Sequence, residues 1–272
     1  MYLSISSYTW LPTSFVGKLS LLHDRGIESV EIFATARHLD ISDPEAVQQA
    51  GMKLRNIGFR GISLHAPSKV GDLSSPDESQ RQETIQACQK TLDAAMLMGA
   101  TLVTFHPSSI EGEMSEASER WSSLSETLHD LSGYAEDRDV KMAIENFPLP
   151  LFGCDPRELY RRIAGLDIPN VGMCLDIGHA YVGGYLPSLL SELGEKVFAV
   201  HASDNRGRVD EHLPPGQGSV PWPEIITGLR QFEFRGPFVM EVRDGRRTEH
   251  ILDDIIEFAE EMGLSGVGQL SR

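Results

Sequence analysis

Short runs in which every residue suits a strand alternate with longer stretches whose apolar residues recur at every third and fourth position. The runs are LSIS (3–6), SVEIF (29–33), GISLHA (61–66), TLVTFH (101–106), KMAIEN (141–146), VGMCLDI (171–177), VFAVHA (197–202) and PFVMEV (237–242). Between them lie amphipathic stretches such as PEAVQQAGMKLRNIG (44–58) and ESQRQETIQACQKTLDAAMLMG (78–99), each closing on a glycine, and RTEHILDDIIEFAEEMGLSG reads as a last helix with an acidic solvated face. The sixth unit is the weakest, because VGGYLPSLLSELG (182–194) offers only a short helix.

Eight strand-then-helix units predict an α/β fold with a parallel sheet, and the lack of a Pro/Gly/Ser-rich linker predicts closure into one (β/α)8 TIM barrel. The 272 residues fit that architecture, whose typical length is about 250. The whole chain, 1–272, is expected to be one domain with a short tail from about 264. An open doubly wound sheet ordinarily carries a Gly-rich phosphate turn after its first strand, and SISSYTWLP has no G-x-G-x-x-G.

Composition narrows the function classes. Apolar residues at 40% and charged residues at 24% allow a filled core beneath a polar surface. The formal net charge of -16 opposes a polyanionic partner, so nucleic acid is not expected. No run approaches the ~18 apolar residues of a membrane helix, and MYLSISSYTWLPTS does not read as a signal peptide. The expectation is a cytoplasmic protein. Cys88, Cys154 and Cys174 are odd in number and widely spaced, which suggests core filler rather than a disulfide framework.

One pattern repeats at the carboxyl end of six consecutive runs: Leu64-His65, Phe105-His106, Ile144-Glu145, Leu175-Asp176, Val200-His201 and Met240-Glu241. Adjacent strand side chains point to opposite faces, so in a barrel the apolar residue meets the helices and the polar one the axis. A lone His at a strand end is ordinarily a hydrogen-bonded core or loop residue, and a lone Asp or Glu a helix cap or solvated charge. Six in register are different. Carboxylates gathered on a barrel axis repel and lose solvation, and a divalent cation removes both costs. A metal site is therefore expected at the carboxyl mouth, where barrel active sites lie. In CLDIGHA, His179 follows Asp176 by three residues, and the spacing Asp210-x-His212 puts two side chains on one side of an extended segment. Asp and imidazole suit zinc or manganese, and the carboxylate-rich part also suits magnesium. DEHLPPG is alternatively a plain turn set by Pro214, Pro215, Gly216 and Gly218.

LHAP, TFHPS, AIENFP, CLDIGHA, the loop from HASDN to DEHLPPGQG with its following VPW, and FVMEV together resemble the xylose-isomerase-like barrel superfamily. That superfamily includes sugar isomerases, ketose epimerases, inosose dehydratases and zinc-dependent apurinic-site endonucleases. The resemblance spans strands three to eight in order and is weaker over the first two. Its isomerase and epimerase branch implies one divalent ion (Zn, Mn, Mg or Co) held by Glu145, Asp176, His201 and Glu241. In that branch the ion polarises a substrate carbonyl and its adjacent hydroxyl, Glu145 and Glu241 serve as bases, and His179 steadies a substrate oxygen. The endonuclease branch implies two or three ions, adding His65, His106, His179, Asp210 and His212 to those four ligands. That branch has an aromatic and an Asn shortly after its HAP, where this chain reads HAPSKVGDLSS. It also has a basic residue inside its Asp-x-His, where this chain has Glu211, a poor arrangement for a DNA backbone. The resemblance thus implies a sugar or sugar-phosphate isomerase or epimerase acting on a small carbohydrate. A phosphodiesterase is the alternative, and an inosose-type dehydratase or a non-catalytic metal-binding protein are lesser ones. Barrels of this family are often dimers or tetramers, so a homo-oligomer is also implied.

Several other residues keep two readings. Arg206, Arg208 and Arg243 fall on the loops after strands seven and eight, where barrels often hold a phosphate, or else are solvated or pair with Asp204, Asp244 and nearby acids. The epimerases place an arginine a few residues after the metal His, and Arg206 and Arg208 straddle that position. Trp10, Phe33 and Trp222 either wall a sugar pocket or fill the core. Lys69, just past HAPS, is either an aid to the site or a surface lysine.

Overall fold

The computed structural model describes residues 1–10, 15–36, 38–108, 117–243 and 248–266. Its strands are β1 (Tyr2–Ser6), β2 (Ser29–Phe33), β3 (Gly61–His65), β4 (Leu102–Phe105), β5 (Lys141–Glu145), β6 (Val171–Asp176), β7 (Val197–Ala202) and β8 (Pro237–Met240). They pair in chain order, all parallel, and β1 closes the barrel on β8. The helices are α1 (Leu19–Asp24), α2 (Pro44–Ile57), α3 (Glu78–Met98), α4 (Ala117–Glu136), α5 (Pro156–Gly165), α6 (Ile177–Val182), α7 (Trp222–Gln231) and α8 (Thr248–Glu261). This is the (β/α)8 barrel that the strand–helix alternation predicts.

Local chemistry sets the helix starts. Asp43, Asp77 and Asp155 each accept backbone N–H groups at the head of α2, α3 and α5, donors that a helix start leaves without partners. Gly58, at a φ of 120°, ends α2 in the left-handed region that glycine adopts without steric cost. In the sixth unit α6 begins directly after β6, earlier than the expected 182–194, because Asp176 accepts from His179 N at 2.7 Å and caps it at once. A 3-10 turn at Ser188–Glu192 completes that unit.

Strand alternation gives the barrel interior its layers. Leu102, Ala143, Cys174 and Ala199 form a small apolar cluster apart from the main core, two residues before Thr104, Glu145, Asp176 and His201 on the same strand faces. The interior therefore changes from small and apolar to polar toward the carboxyl end. Cys88 and Cys174 are buried and Cys154 is half-buried, all three as free thiols. The expected tail begins as structure rather than as tail: Ser265 bridges Tyr2 and accepts from Leu3 N at 2.9 Å, and residues 267–272 lie outside the described residues. Among the described residues, no helix is long and apolar enough to cross a membrane.

Candidate active site

The six strand-end residues converge. Glu145 is central and almost fully buried, with its Oε2 3.2 Å from both His65 Nε2 and His106 Nε2 and its Oε1 3.2 Å from His201 Nδ1. His201 Nδ1 also lies 3.6 Å from Glu241 Oε2. Among the described residues, three sets of side chains bring potential ligand atoms within 4.8 Å of one another: His65, His106 and Glu145; His65, His201 and Glu241; and Glu145, Asp176, His201 and Glu241. Asp176 belongs to the last set and also caps α6, so the capping role leaves its carboxylate within reach of the other three groups.

The loop after β7 adds a second triad. Asp210 Oδ2 lies 2.7 Å from His212 Nε2 and 3.3 Å from His179 Nε2. The turn reading of DEHLPPG also holds, since His212 sits at a φ of 50° and Leu213 exchanges backbone hydrogen bonds with Asp204. Asp204 is the fastening of this loop. Its carboxylate accepts from the backbone N–H of Asn205, Gly216 and Val220 and from Trp222 Nε1.

Three of the histidines are held by one rule. Nδ1 of His65, His179 and His212 lies 2.8 Å from the carbonyl oxygens of Ala66, Asn146 and Glu241. A carbonyl only accepts, so each Nδ1 carries the proton and each Nε2 is turned to a carboxylate. In the ion-free protein those carboxylates draw protons onto the rings. Burial disfavours charge on His179, but Asp176, Asp210 and Glu145 outweigh it and push its pKa up to about 10. His212 is pushed up to about 9 against burial, chiefly by Asp210. Asp210 is held well below the ordinary carboxylate range by these two rings, against its burial. Burial wins at Asp176, helped by Glu145 and Asp210, and raises it to about 7. At His106 burial also wins and lowers the pKa.

The donor set fits a divalent cation. Glu145, Asp176 and Glu241 are buried around a single imidazole face, and Asp210 Oδ1 is buried with no hydrogen-bond partner. Protons stand where cations relieve the same repulsion.

The remaining candidates divide. Phe33 stacks on His65 with ring centroids 4.4 Å apart and so borders the site. Trp10 is 1% exposed against Phe15, and Trp222 packs on Phe238 and Phe258, so both take the core reading rather than the pocket wall. Arg206 pairs with Glu211, and Asp204 is engaged by backbone amides rather than by an arginine. Lys69 is exposed on the loop after β3, and Asp244 lies outside the described residues. Arg243 lies 4.2 Å from the centroid of the Tyr8 ring. Four residues at the site carried no signal used in the sequence: Tyr8, 5.1 Å from the His212 ring; Phe147, 4.5 Å from His106; Ser6, donating to Glu241 at 3.2 Å; and Glu31, fully buried beside His201. A cavity of about 710 Å³ lies at the strand starts, lined by Tyr2, Ser63, Lys141 and Phe198, and contains none of the clustered groups.

Comparison with known proteins agrees with this geometry. A family model described as xylose isomerase-like TIM barrel matches residues 19–262. The uncharacterized protein MJ1311 of Methanocaldococcus jannaschii is 27% identical over 270 residues, 96% of this chain and 91% of that one. Fructoselysine 3-epimerase of Escherichia coli O157:H7 is 26% identical over 173 residues, 61% of each chain, and probable endonuclease 4 of Thermoplasma volcanium is 25% identical over 257 residues, 85% of this chain and 88% of that one. Among solved structures, a D-tagatose 3-epimerase-like protein superposes with a TM-score of 0.81 at 25% identity, covering 96% of this chain and 99% of that one.

Proposed function

This chain belongs to the xylose isomerase-like TIM-barrel family, and from that premise we propose that it is a divalent-metal-dependent isomerase or epimerase of a small carbohydrate. The observation that carries the reading is the pair Glu145 and Glu241, which come from β5 and the end of β8 and approach the same His201 nitrogen at 3.2 and 3.6 Å. Glu145, Asp176, His201 and Glu241 would hold the cation, which would supply polarisation of the substrate carbonyl and the neighbouring hydroxyl. Glu145 and Glu241 then act on the carbon beside that carbonyl. One carboxylate takes the carbon-bound proton, and the other returns a proton to the opposite face, which inverts the centre. Return of the proton to the adjacent carbon instead exchanges aldose for ketose. His179, with Nδ1 locked on Asn146 O and Nε2 beside Asp210, would steady a substrate oxygen. Phe33, Phe147 and the Tyr8 ring limit water around the reacting carbon.

The test is incubation of the protein, with manganese, cobalt or zinc, with a panel of ketoses, ketose phosphates and inososes in D2O. Proton NMR follows both conversion and loss of the carbon-bound proton. Deuterium entry with conversion supports the reading.

A second reading is favoured by the His65–His106–Glu145 group and the His179–Asp210–His212 triad, which extend the ligand set beyond one ion. That set suits a metal-assisted phosphodiesterase. The net charge of -16 and the Arg206–Glu211 pair, which neutralises a cation on the loop itself, count against a nucleic-acid substrate. Cleavage of abasic DNA or a small phosphodiester by protein that turns over none of the sugars reverses the ranking.

A further inference from the structure

Glu31 lies in the middle of β2, is fully buried, and faces the barrel axis below the clustered ligands. Its Oε2 accepts from His201 Nε2 at 3.4 Å, with Oε1 3.2 Å from the same nitrogen. Two hydroxyls aim the carboxylate, Ser63 Oγ at 3.4 Å from the neighbouring strand β3 and Thr104 Oγ1 at 3.3 Å from β4, the strand beyond it. Among the described residues Glu31 falls in none of the three clustered sets, and it meets His201 at Nε2 whereas Glu145 and Glu241 lie at Nδ1.

His201 breaks the rule that governs the other fastened rings. His65, His179 and His212 are each locked through Nδ1 by a main-chain carbonyl, which any sequence would supply. His201 instead turns Nδ1 to the acidic cluster and leaves Nε2 to be held by a side chain. A carboxylate behind a ligating imidazole fixes the ring, selects the tautomer whose lone pair faces the ion, and raises its donor strength.

We propose that Glu31 is the positioning residue of the metal centre: it locks His201 through Nε2 so that Nδ1 serves as the ligand, and its charge adds to the affinity of the site for a divalent cation. This rests on the reading of Glu145, Asp176, His201 and Glu241 as an ion site.

The experiment is equilibrium titration of the full chain with Zn(II) against a chromophoric chelator, and with Co(II) followed by its ligand-field bands, for wild type, Glu31→Gln and Glu31→Leu. Circular dichroism and thermal unfolding of the ion-free proteins run alongside. Glu31→Gln keeps an acceptor and loses the charge, and Glu31→Leu loses both. The expected result is a weakening of about 10-fold for the first and toward about 100-fold for the second, with altered Co(II) bands. The ion-free variants are expected to melt below wild type, because each substitution removes the charge paired with the buried His201, so the affinity of the folded protein is the deciding readout. If neither glutamate variant folds, Thr104→Val removes one of the two bonds that aim the carboxylate, and a several-fold loss of affinity is expected.

Affinities within about twofold of wild type in the folded variants overturn the proposal, as does a fall in melting temperature with affinity unchanged. A wild type that binds neither ion overturns the metal-site reading itself, and the wild-type titration alone decides that case.

Discussion

Asp210 Oδ2 lies 2.7 Å from His212 Nε2, although only Glu211 separates the two residues in the chain. The left-handed backbone at His212 swings its ring back over the carboxylate, and His179 meets the same oxygen from α6.

This triad makes the ion-free protein sensitive to alkali. His179 and His212 titrate at about 10 and about 9 in the folded state, against about 6.5 in an unfolded chain. A raised histidine pKa contributes stability that is complete below about 6.5 and is lost as pH rises through the folded values. Asp176, raised to about 7, works in the same direction, since its ionisation in the folded state carries a cost that grows between about 4 and 7. The melting temperature in chelator is therefore expected to fall from pH 6 to pH 10. Ion binding displaces the same protons, so the stabilisation given by added Zn(II) should grow over that range. A chelated protein that melts at one temperature across the range sinks this account.

Substitution of Asp210 separates the two parts of the ligand set. Asp210→Ala removes the bridge between His179 and His212 and leaves Glu145, Asp176, His201 and Glu241 in place. Elemental mass spectrometry on protein purified without chelator should find an ion retained in the variant, with one ion fewer than wild type where the outer triad also binds. Loss of every ion from Asp210→Ala contradicts the assignment of the inner four as a site in themselves.

The barrel and most of this constellation were legible because strand alternation converts sequence position into direction. Every expected strand recurs within two residues, and the six strand-end side chains come together at the carboxyl mouth. Glu31 escaped that reading for a physical reason. The repeated pattern pairs an apolar residue with a polar one at strand ends, whereas Glu31 sits mid-strand between Val30 and Ile32, one layer deeper. Its signal was the cost of a charged residue inside a fully buried strand, which demands a partner. Trp10 and Arg206 each kept two readings in the sequence, and the structure sets the first in the core and pairs the second with a nearby acid. Ring character and charge were visible, but the core packing of the first and the pairing of the second with Glu211 depend on loop conformation that no periodicity encodes.

Asp204 shows how stability and site geometry share one residue. It is buried, and three backbone amides and the Trp222 indole converge on its carboxylate. Asp204→Ala strands these donors, and hydrogen bonds to a charged group contribute more than neutral ones, so the loss is expected to be roughly 3–5 kcal/mol. At roughly 2–4 °C per kcal/mol for a domain of this size, the melting temperature should drop by roughly 6–20 °C. A drop smaller than about 2 °C in a thermal scan shows that the loop holds without this fastening.

The two glutamates can be told apart by isotope exchange even where conversion is lost. Each carboxylate serves one face of the substrate carbon, so removing one leaves the other able to take a proton from its own epimer and give it back. Glu145→Gln and Glu241→Gln should each lower net epimerisation by about 10²–10⁴-fold, the range typical of a lost general acid–base group. In D2O each variant should still wash the proton out of a single epimer, and the two variants should choose opposite epimers. Because Gln keeps an oxygen donor toward the ion, metal content measured on the same samples separates loss of the base from loss of the centre. Both variants exchanging the same epimer contradicts the two-base assignment, since one group would then be serving both faces. Near wild-type conversion by Glu241→Gln removes that residue from the reaction and leaves Glu145 to carry both transfers.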